Sequence, residues 1–293
     1  MKDPKIIKAH SSYVIDLLFT PDSQLLISAG MDNIINLWNV PEWELSRTLT
    51  GHTHSVNTLS LSPDVTTLIS GSTDTTVKLW SFPSGKEIKT LKGHKKTVSC
   101  VNISPDGKYI VSGSYEGRVK LWSFETGEEI LTINALKRNV AANIFLPDSK
   151  TLLVSGINDN ILIYEIPSGD LIRKLSGHKT AVTALTISSD GKFLVSSGYD
   201  RTVKLWKITN WELLHDLSLD SEGYYKSAFS PDSKTFAVVA AYKMMIWSVE
   251  NGEMLTEQNL KPKGITSVTF SPNGKWLAVG AADKKIRVWK MDG

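Results

Sequence analysis

Residues 51–92 read GHTHSVNTLSLSPDVTTLISGSTDTTVKLWSFPSGKEIKTLK. Four short runs within them, Val56–Leu61, Thr67–Ser72, Thr76–Ser81 and Glu87–Leu91, alternate apolar and polar residues and are rich in β-branched side chains. That is the pattern of half-buried strands. Turn formers stand between the runs: Pro63-Asp64, then Ser72-Thr73-Asp74-Thr75, then Pro83-Ser84-Gly85. The spacing predicts four antiparallel strands joined by tight turns. A sheet of this size cannot bury both of its faces alone and needs neighbours.

The neighbours are copies of itself. Trp38, Trp80, Trp122, Tyr164, Trp206, Trp247 and Trp289 lie 42, 42, 42, 42, 41 and 42 residues apart. A Pro-Asp-type turn keeps the same beat at Pro21-Asp22, Pro63-Asp64, Pro105-Asp106, Pro147-Asp148, Ser189-Asp190, Pro231-Asp232 and Pro272-Asn273. Ala9-His10, Gly51-His52, Gly93-His94 and Gly177-His178 each place a His 28 residues before the aromatic residue of the unit. A length of 293 residues by itself predicts two domains, at roughly 100–200 residues each. The period predicts one domain over 1–293, with units of approximately 10–51, 52–93, 94–135, 136–177, 178–219, 220–260 and 261–293 plus 1–9. Seven such sheets stacked around an axis bury each other's faces, which makes an all-β, seven-bladed β-propeller of four-stranded antiparallel blades. The last unit stops after its third strand at Trp289, whereas Lys5-Ile6-Ile7-Lys8-Ala9-His10 reads as a fourth strand with no blade of its own. The ring is expected to close by pairing that N-terminal strand onto the last blade.

Composition removes other classes. The chain is 41% hydrophobic and 22% charged, with 33 Lys+Arg against 30 Asp+Glu, which excludes a collagenous or disordered chain. Its net charge of +3 is too small to imply nucleic acid. Cys100 is the one cysteine, so no intrachain disulfide forms, and a reducing, cytoplasmic setting is expected. Asp3, Pro4, Lys5, Lys8, His10 and Asp16 interrupt any signal-peptide core at the N-terminus. No run approaches the roughly 18–20 apolar residues that cross a bilayer, and no membrane partner is expected.

The motifs Gly93-His94, Ser104–Gly107, Ser70–Asp74 and Val77–Trp80 resemble those of the WD40 repeat family, over essentially the full length. The residue after the repeated Trp is Asn39, Ser81, Ser123, Lys207, Ser248 or Lys290, never the family's Asp, but this position falls at a strand end. The resemblance implies a non-catalytic scaffold that binds a protein or peptide on one rim. It also implies that His10/Ser28/Asp32/Trp38, His52/Ser70/Asp74/Trp80, His94/Ser112/Glu116/Trp122 and His178/Ser196/Asp200/Trp206 are buried bracing chains. A catalytic Ser-His-Asp triad needs one nucleophile in one cleft, whereas this set recurs once per blade at fixed offsets. Blade 4 is read as keeping Ser155 and Asp159 with Tyr164 and no His. Blade 6 places Val238 at the Ser position and Tyr242 near the lost Asp, and blade 7 keeps Asp283 and Trp289 with Val279. Apolar residues then replace the lost network, few polar groups are orphaned, and blades 4, 6 and 7 are expected to be braced by packing alone. No metal-ligand spacing or phosphate loop is present, so no metal or cofactor is expected, and Cys100 reads as a small core residue.

Strand alternation puts the blade-to-blade loops and the second-to-third-strand turns on one rim. The loops read Ser11-Ser12-Tyr13, Thr53-His54-Ser55, Lys95-Lys96-Thr97, Lys137-Arg138-Asn139, Lys179-Thr180-Ala181, Glu222-Gly223-Tyr224 and Lys263-Gly264. The turns contribute Met31, Thr73, Tyr115, Asn158, Tyr199 and Tyr242. Cations and aromatics interleaved in this way suit an acidic or phosphorylated peptide, and the candidate residues are Tyr13, Lys95, Lys96, Tyr115, Lys137, Arg138, Lys179, Tyr199 and Tyr242. Nucleic acid on the same basic arc is the alternative, which would show as steep salt dependence. The channel wall is expected to carry Thr58, Ser60, Asn102, Ala142, Thr183, Thr186, Thr266 and Thr269, with Asp16 and Lys226 as its charged members. On the opposite rim, Trp43 and Trp211 are expected to fold over their own turns.

Overall fold

The computed structural model describes residues 3–220, 225–260 and 264–291, so the loop Glu222-Gly223-Tyr224 and Lys263 lie outside the described residues. The described chain forms 28 strands in seven four-stranded antiparallel sheets arranged as a ring, with no helix among them. Blade 2 consists of Val56–Leu61, Thr67–Ser72, Thr76–Ser81 and Glu87–Lys92, innermost to outermost. The ring closes as its sequence predicts. Lys5–Lys8 pairs antiparallel with Lys285–Lys290, Ile7 opposite Ile286, as the outer strand of blade 7.

Burial explains the strand sequences. The second strands, such as Leu25–Gly30, are covered on both faces by adjacent blades and so carry unbroken buried runs. The outermost strands face water and bury about one residue each, as in Leu45–Leu49. Seven core clusters each straddle a seam between neighbouring blades. Between blades 2 and 3, for example, Ile69, Val77, Leu79 and Leu91 meet Val98, Val101, Ile110 and Trp122. The repeated aromatic residue always packs toward the preceding blade. No blade therefore has a core of its own.

Two expectations change at the opposite rim and on the axis. Trp43 is buried and meets Trp276 of blade 7 edge-on, with centroids 5.2 Å apart; Trp211 packs into the seam between blades 4 and 5. Both enter inter-blade seams rather than folding over their own turns, because the seam offers more apolar surface than a four-residue turn. A one-residue register shift near the start of the innermost strand in six blades, all except blade 6, moves the channel-facing position along by one. Thr183 is consequently buried, its hydroxyl on the Ser197 carbonyl, and Ala184 borders the channel instead.

Candidate functional site

The rim is held from beneath by the repeated polar chains. In blade 2, His52 Nδ1 donates to Asp74 at 2.7 Å, Ser70 Oγ donates to His52 Nε2 at 2.8 Å, and Trp80 Nε1 donates to Ser70 Oγ at 2.8 Å. The carboxylate only accepts, which sets every donor direction along the chain. The same chain links His10, Ser28, Asp32 and Trp38 at 2.8–2.9 Å. It recurs through His94, Ser112, Glu116 and Trp122 at 2.8–2.9 Å, and through His178, Ser196, Asp200 and Trp206 at 2.8–3.0 Å. Burial holds the His10, His94 and His178 pKa values below the ordinary imidazole value, against the pull of their carboxylates.

Each carboxylate also accepts a backbone N–H from the residue after its His. Glu116 takes that of Lys95 at 3.2 Å and Asp200 that of Lys179 at 2.8 Å. The bracing chain thus fixes the start of the loop that carries the cations. Backbone bonds continue the strap across the rim. Tyr115 N donates to Thr97 O, Asn139 N to Tyr115 O, Ile157 N to Asn139 O, and Tyr199 N to Ala181 O, at 2.9–3.1 Å. Tyr115 is therefore wedged between the loops of blades 3 and 4.

Seven of the nine candidate residues fall on blades 3–5: Lys95, Lys96, Tyr115, Lys137, Arg138, Lys179 and Tyr199. Tyr13 stands on blade 1 beside Met31, and Tyr242 on blade 6, outside that arc. The five cations are exposed, and none makes an ion pair within the described residues. Other lysines of the fold behave differently: Lys78, Lys120 and Lys204 lie buried against Glu87, Glu129 and Asp216 at 2.6–2.8 Å. Tyr115, Ile157 and Tyr199 are 48%, 44% and 50% exposed, an apolar row between the cations. Burial, and then the charge of the Tyr115 phenolate, push the Tyr199 pKa up.

Blade 4 departs from its expected reading. The register sets Val154 opposite Leu162, as Ser28 stands opposite Asn36, so Val154 occupies the bracing Ser position. Ser155 is one residue out of phase and faces the other way; its Oγ is buried without a partner. Asn158 stands at the acid position, whereas Asp159 accepts from the Asn160 side chain at the turn. Ile157, not Asn158, is consequently the exposed rim residue equivalent to Tyr115 and Tyr199. Unbroken counting from Tyr164 back to Val154 finds this, since the step from Trp122 to Tyr164 is 42 residues like those before it.

The polar groups of blades 6 and 7 also differ from expectation. Trp247 Nε1 and Trp289 Nε1 are buried without hydrogen-bond partners, because Val238 and Val279 replace the accepting hydroxyl while the indole remains. Blade 7 is not braced by packing alone: Arg287 grips Asp283 with two hydrogen bonds at 2.7 and 3.1 Å. Cys100 is buried at the channel wall, where burial pushes its thiol up to about 12, far from a nucleophilic thiolate. No group of three or more His, Cys, Asp and Glu gathers for a metal ion among the described residues.

A family model described as WD domain, G-beta repeat matches residues 1–39, 43–81, 85–123, 169–207 and 255–290. These spans cover more than half of the chain. The unmatched stretches contain most of blades 4 and 6, the two blades with neither the His nor the paired acid. No curated protein matches the chain.

Proposed function

Since the chain belongs to the WD40 repeat family, we propose that it is a non-catalytic interaction scaffold that binds an acidic protein segment across the rim of blades 3–5. One observation carries the reading: five exposed cations, none of them ion-paired among the described residues, stand on the same three blades as the exposed Tyr115, Ile157 and Tyr199. Exposed apolar rings supply area to bury, and flanking cations choose the partner's sign and guide its approach. The family is one whose propellers serve as protein-interaction scaffolds, which supports a protein over a small molecule. Phosphorylation of the segment would add charge that suits the same cations. The cytoplasm, where a lone buried thiol stays reduced, is the setting this reading assumes.

The test compares affinity capture by wild type and by a variant with Lys95, Lys96, Lys137 and Arg138 changed to Glu. Single exposed pairs contribute about 0.2–1 kcal/mol, so four reversals should weaken the true partner by about fourfold or more. Identical partner lists from the two proteins would sink the assignment of this rim. Captured nucleic acid, released steeply by salt, would replace the protein segment as the ligand.

A further inference from the structure

At the opposite rim each seam ends in one pair of residues: the first residue of a second strand, and the residue two places after the repeated aromatic of the next blade. The two trade size. Trp276 shares a cluster with Val40, Leu25 with Phe82, Tyr109 with Ile166, and Phe193 with Val249. Where the second strand opens with Thr67 or Thr151, the next blade supplies Phe124, or Ile208 together with Trp211. The seam of blades 6 and 7 breaks the rule. Thr235 opens the second strand of blade 6, and its counterpart is Met291, so this pair alone has no aromatic ring.

The turn that could make up the volume is missing as well. Blade 7 takes its fourth strand from Lys5–Lys8, so no turn joins its third strand to a fourth. In blades 2, 3 and 6 the glycines of that turn pack on the preceding outer strand: Leu49, Leu91 and His215 lie 2.8–2.9 Å from where a Cβ on Gly85, Gly127 and Gly252 would stand. The outer strand of blade 6 has no such turn over it among the described residues. Gln258 accordingly stands at the register position held elsewhere by Leu49, Leu91, Ile133, Leu175 and Leu217. What remains on the opposite rim is a groove of about 840 Å³. Pro231, Phe270, Pro272 and Met291 give it apolar walls, and its charged members are Asp232, Lys275 and Lys290. The Asp232 carboxylate is held by its own turn, accepting from Ser230 Oγ at 2.6 Å and from Lys234 N at 3.1 Å. Lys275 and Lys290 are exposed and make no ion pair among the described residues.

We propose that this groove is a second docking site, which takes one aromatic side chain of an acidic protein segment. The ring enters beside Thr235 and Met291, and an adjoining carboxylate meets Lys275 and Lys290. An amino-acid ring is the occupant that fits, because the fold itself puts Trp43, Phe82, Phe124 or Trp211 into the same place of other seams. The volume lies within the 300–1,000 Å³ of ordinary ligand sites, enough for the ring and its neighbouring residues. An aromatic anchor supplies much of the area that a short segment can bury. The two lysines set the sign of its flank. The groove lies on the opposite rim from the cations of blades 3–5 and is independent of that reading.

The test uses immobilised peptide pools, random around a fixed centre of Glu-Trp-Glu, Glu-Ala-Glu or Lys-Trp-Lys. The proteins are the wild type, Thr235→Phe and Thr235→Trp, a Lys275→Glu/Lys290→Glu variant, and the chain without Asp292 and Gly293. The Thr235 variants copy Phe193 and Trp276 at the same strand position. Each protein is measured with and without the four rim reversals, which separates groove from rim, and melting temperature is the folding control. Wild type should prefer Glu-Trp-Glu to Glu-Ala-Glu by about tenfold, the scale of burying one aromatic ring. Filling the slot from within should abolish that preference at an unchanged or higher melting temperature. The lysine reversal should keep the ring preference and favour Lys-Trp-Lys. Equal binding of the three pools by wild type, or an intact ring preference in a folded Thr235 variant, would overturn the site. A lysine reversal that still favours Glu flanks would overturn the acidic segment, and it decides the matter if neither Thr235 variant folds. A wild type that sediments as a dimer, with monomeric Thr235 variants, would put a second copy in the slot. A ring preference seen only in the shortened chain would put the chain's own end there. Either outcome overturns the proposal.

Discussion

Val65 holds a β-branched side chain at a φ of 59°, where blades 3, 5 and 7 place Gly107, Gly191 and Gly274 at about 72°. An L-residue in this region costs roughly 1–2 kcal/mol, and branching at Cβ raises the cost. Glycine gives back roughly 0.5–1 kcal/mol in unfolded-state entropy. Val65→Gly should therefore stabilise the protein by about 0.5–1 kcal/mol, read as a higher denaturation midpoint. A lower midpoint would show that the Val65 side chain contributes packing at the rim. The buried histidines make the second residue-scale prediction. Burial lowers the folded pKa of His10, His94 and His178 below the unfolded value near 6.5, so below that value the unfolded chain binds more protons. Their contribution is complete above pH 6.5 and is lost as pH falls through the folded values. The melting temperature should drop between pH 7 and pH 5, and His94→Asn should flatten that slope. A flat profile in the wild type would contradict the burial argument.

Each blade is a sheet whose polar interior has either a full bracing chain or gaps. Ser112 in blade 3 gives to His94 and receives from Trp122, so Ser112→Ala orphans two buried groups and should cost about 1–3 kcal/mol. Ser155 in blade 4 is a buried hydroxyl with no partner, and Ala29 occupies the same register position in blade 1. Ser155→Ala should be neutral or stabilising by up to about 1 kcal/mol, since only a desolvation penalty is removed. Equal losses in the two variants would refute the distinction between complete and gapped blades. Amide exchange should follow the same division, faster in blades 4 and 6 than in blades 1, 2, 3 and 5, with blade 7 intermediate through its Arg287–Asp283 pair. Uniform protection would mean that the seams, rather than the polar chains, set local stability.

For the whole molecule, stability depends on closing the ring. Every core cluster spans two blades, and the strand Lys5–Lys8 completes blade 7 while Ile7 and Ala9 join the seam with blade 1. Removing residues 1–9 opens that seam and exposes the edge of Lys285–Lys290, so the melting temperature should fall by several degrees; an unchanged value would show that closure is dispensable. The ring is legible in the sequence, because a 42-residue period admits only stacked copies and each Trp marks its seam. The arc of cations on blades 3–5 was legible too, since loops repeat with the same beat. The places of Ile157 and Val154 are not legible from residue type, because blade 4 has its own Ser155 and Asp159 one residue from the expected phase. A one-residue slip in a strand exchanges its two faces, so a matching residue type is no substitute for register.

The repeat, the number of blades, the antiparallel strand order and the closing strand can all be read from the amino-acid order. All of these follow from periodicity and turn chemistry, which are local properties. Which side chains share a space across blades follows from packing between distant parts of the chain. Trp43 meets Trp276, Asp16 meets the backbone of Leu59, and Lys226 lines one cavity with Tyr115. Those partners are separated by tens to hundreds of residues, and a register shift of a single residue in the innermost strands fixes which of them face each other. For Trp43 and Trp276 the choice is made only when the last blade meets the first.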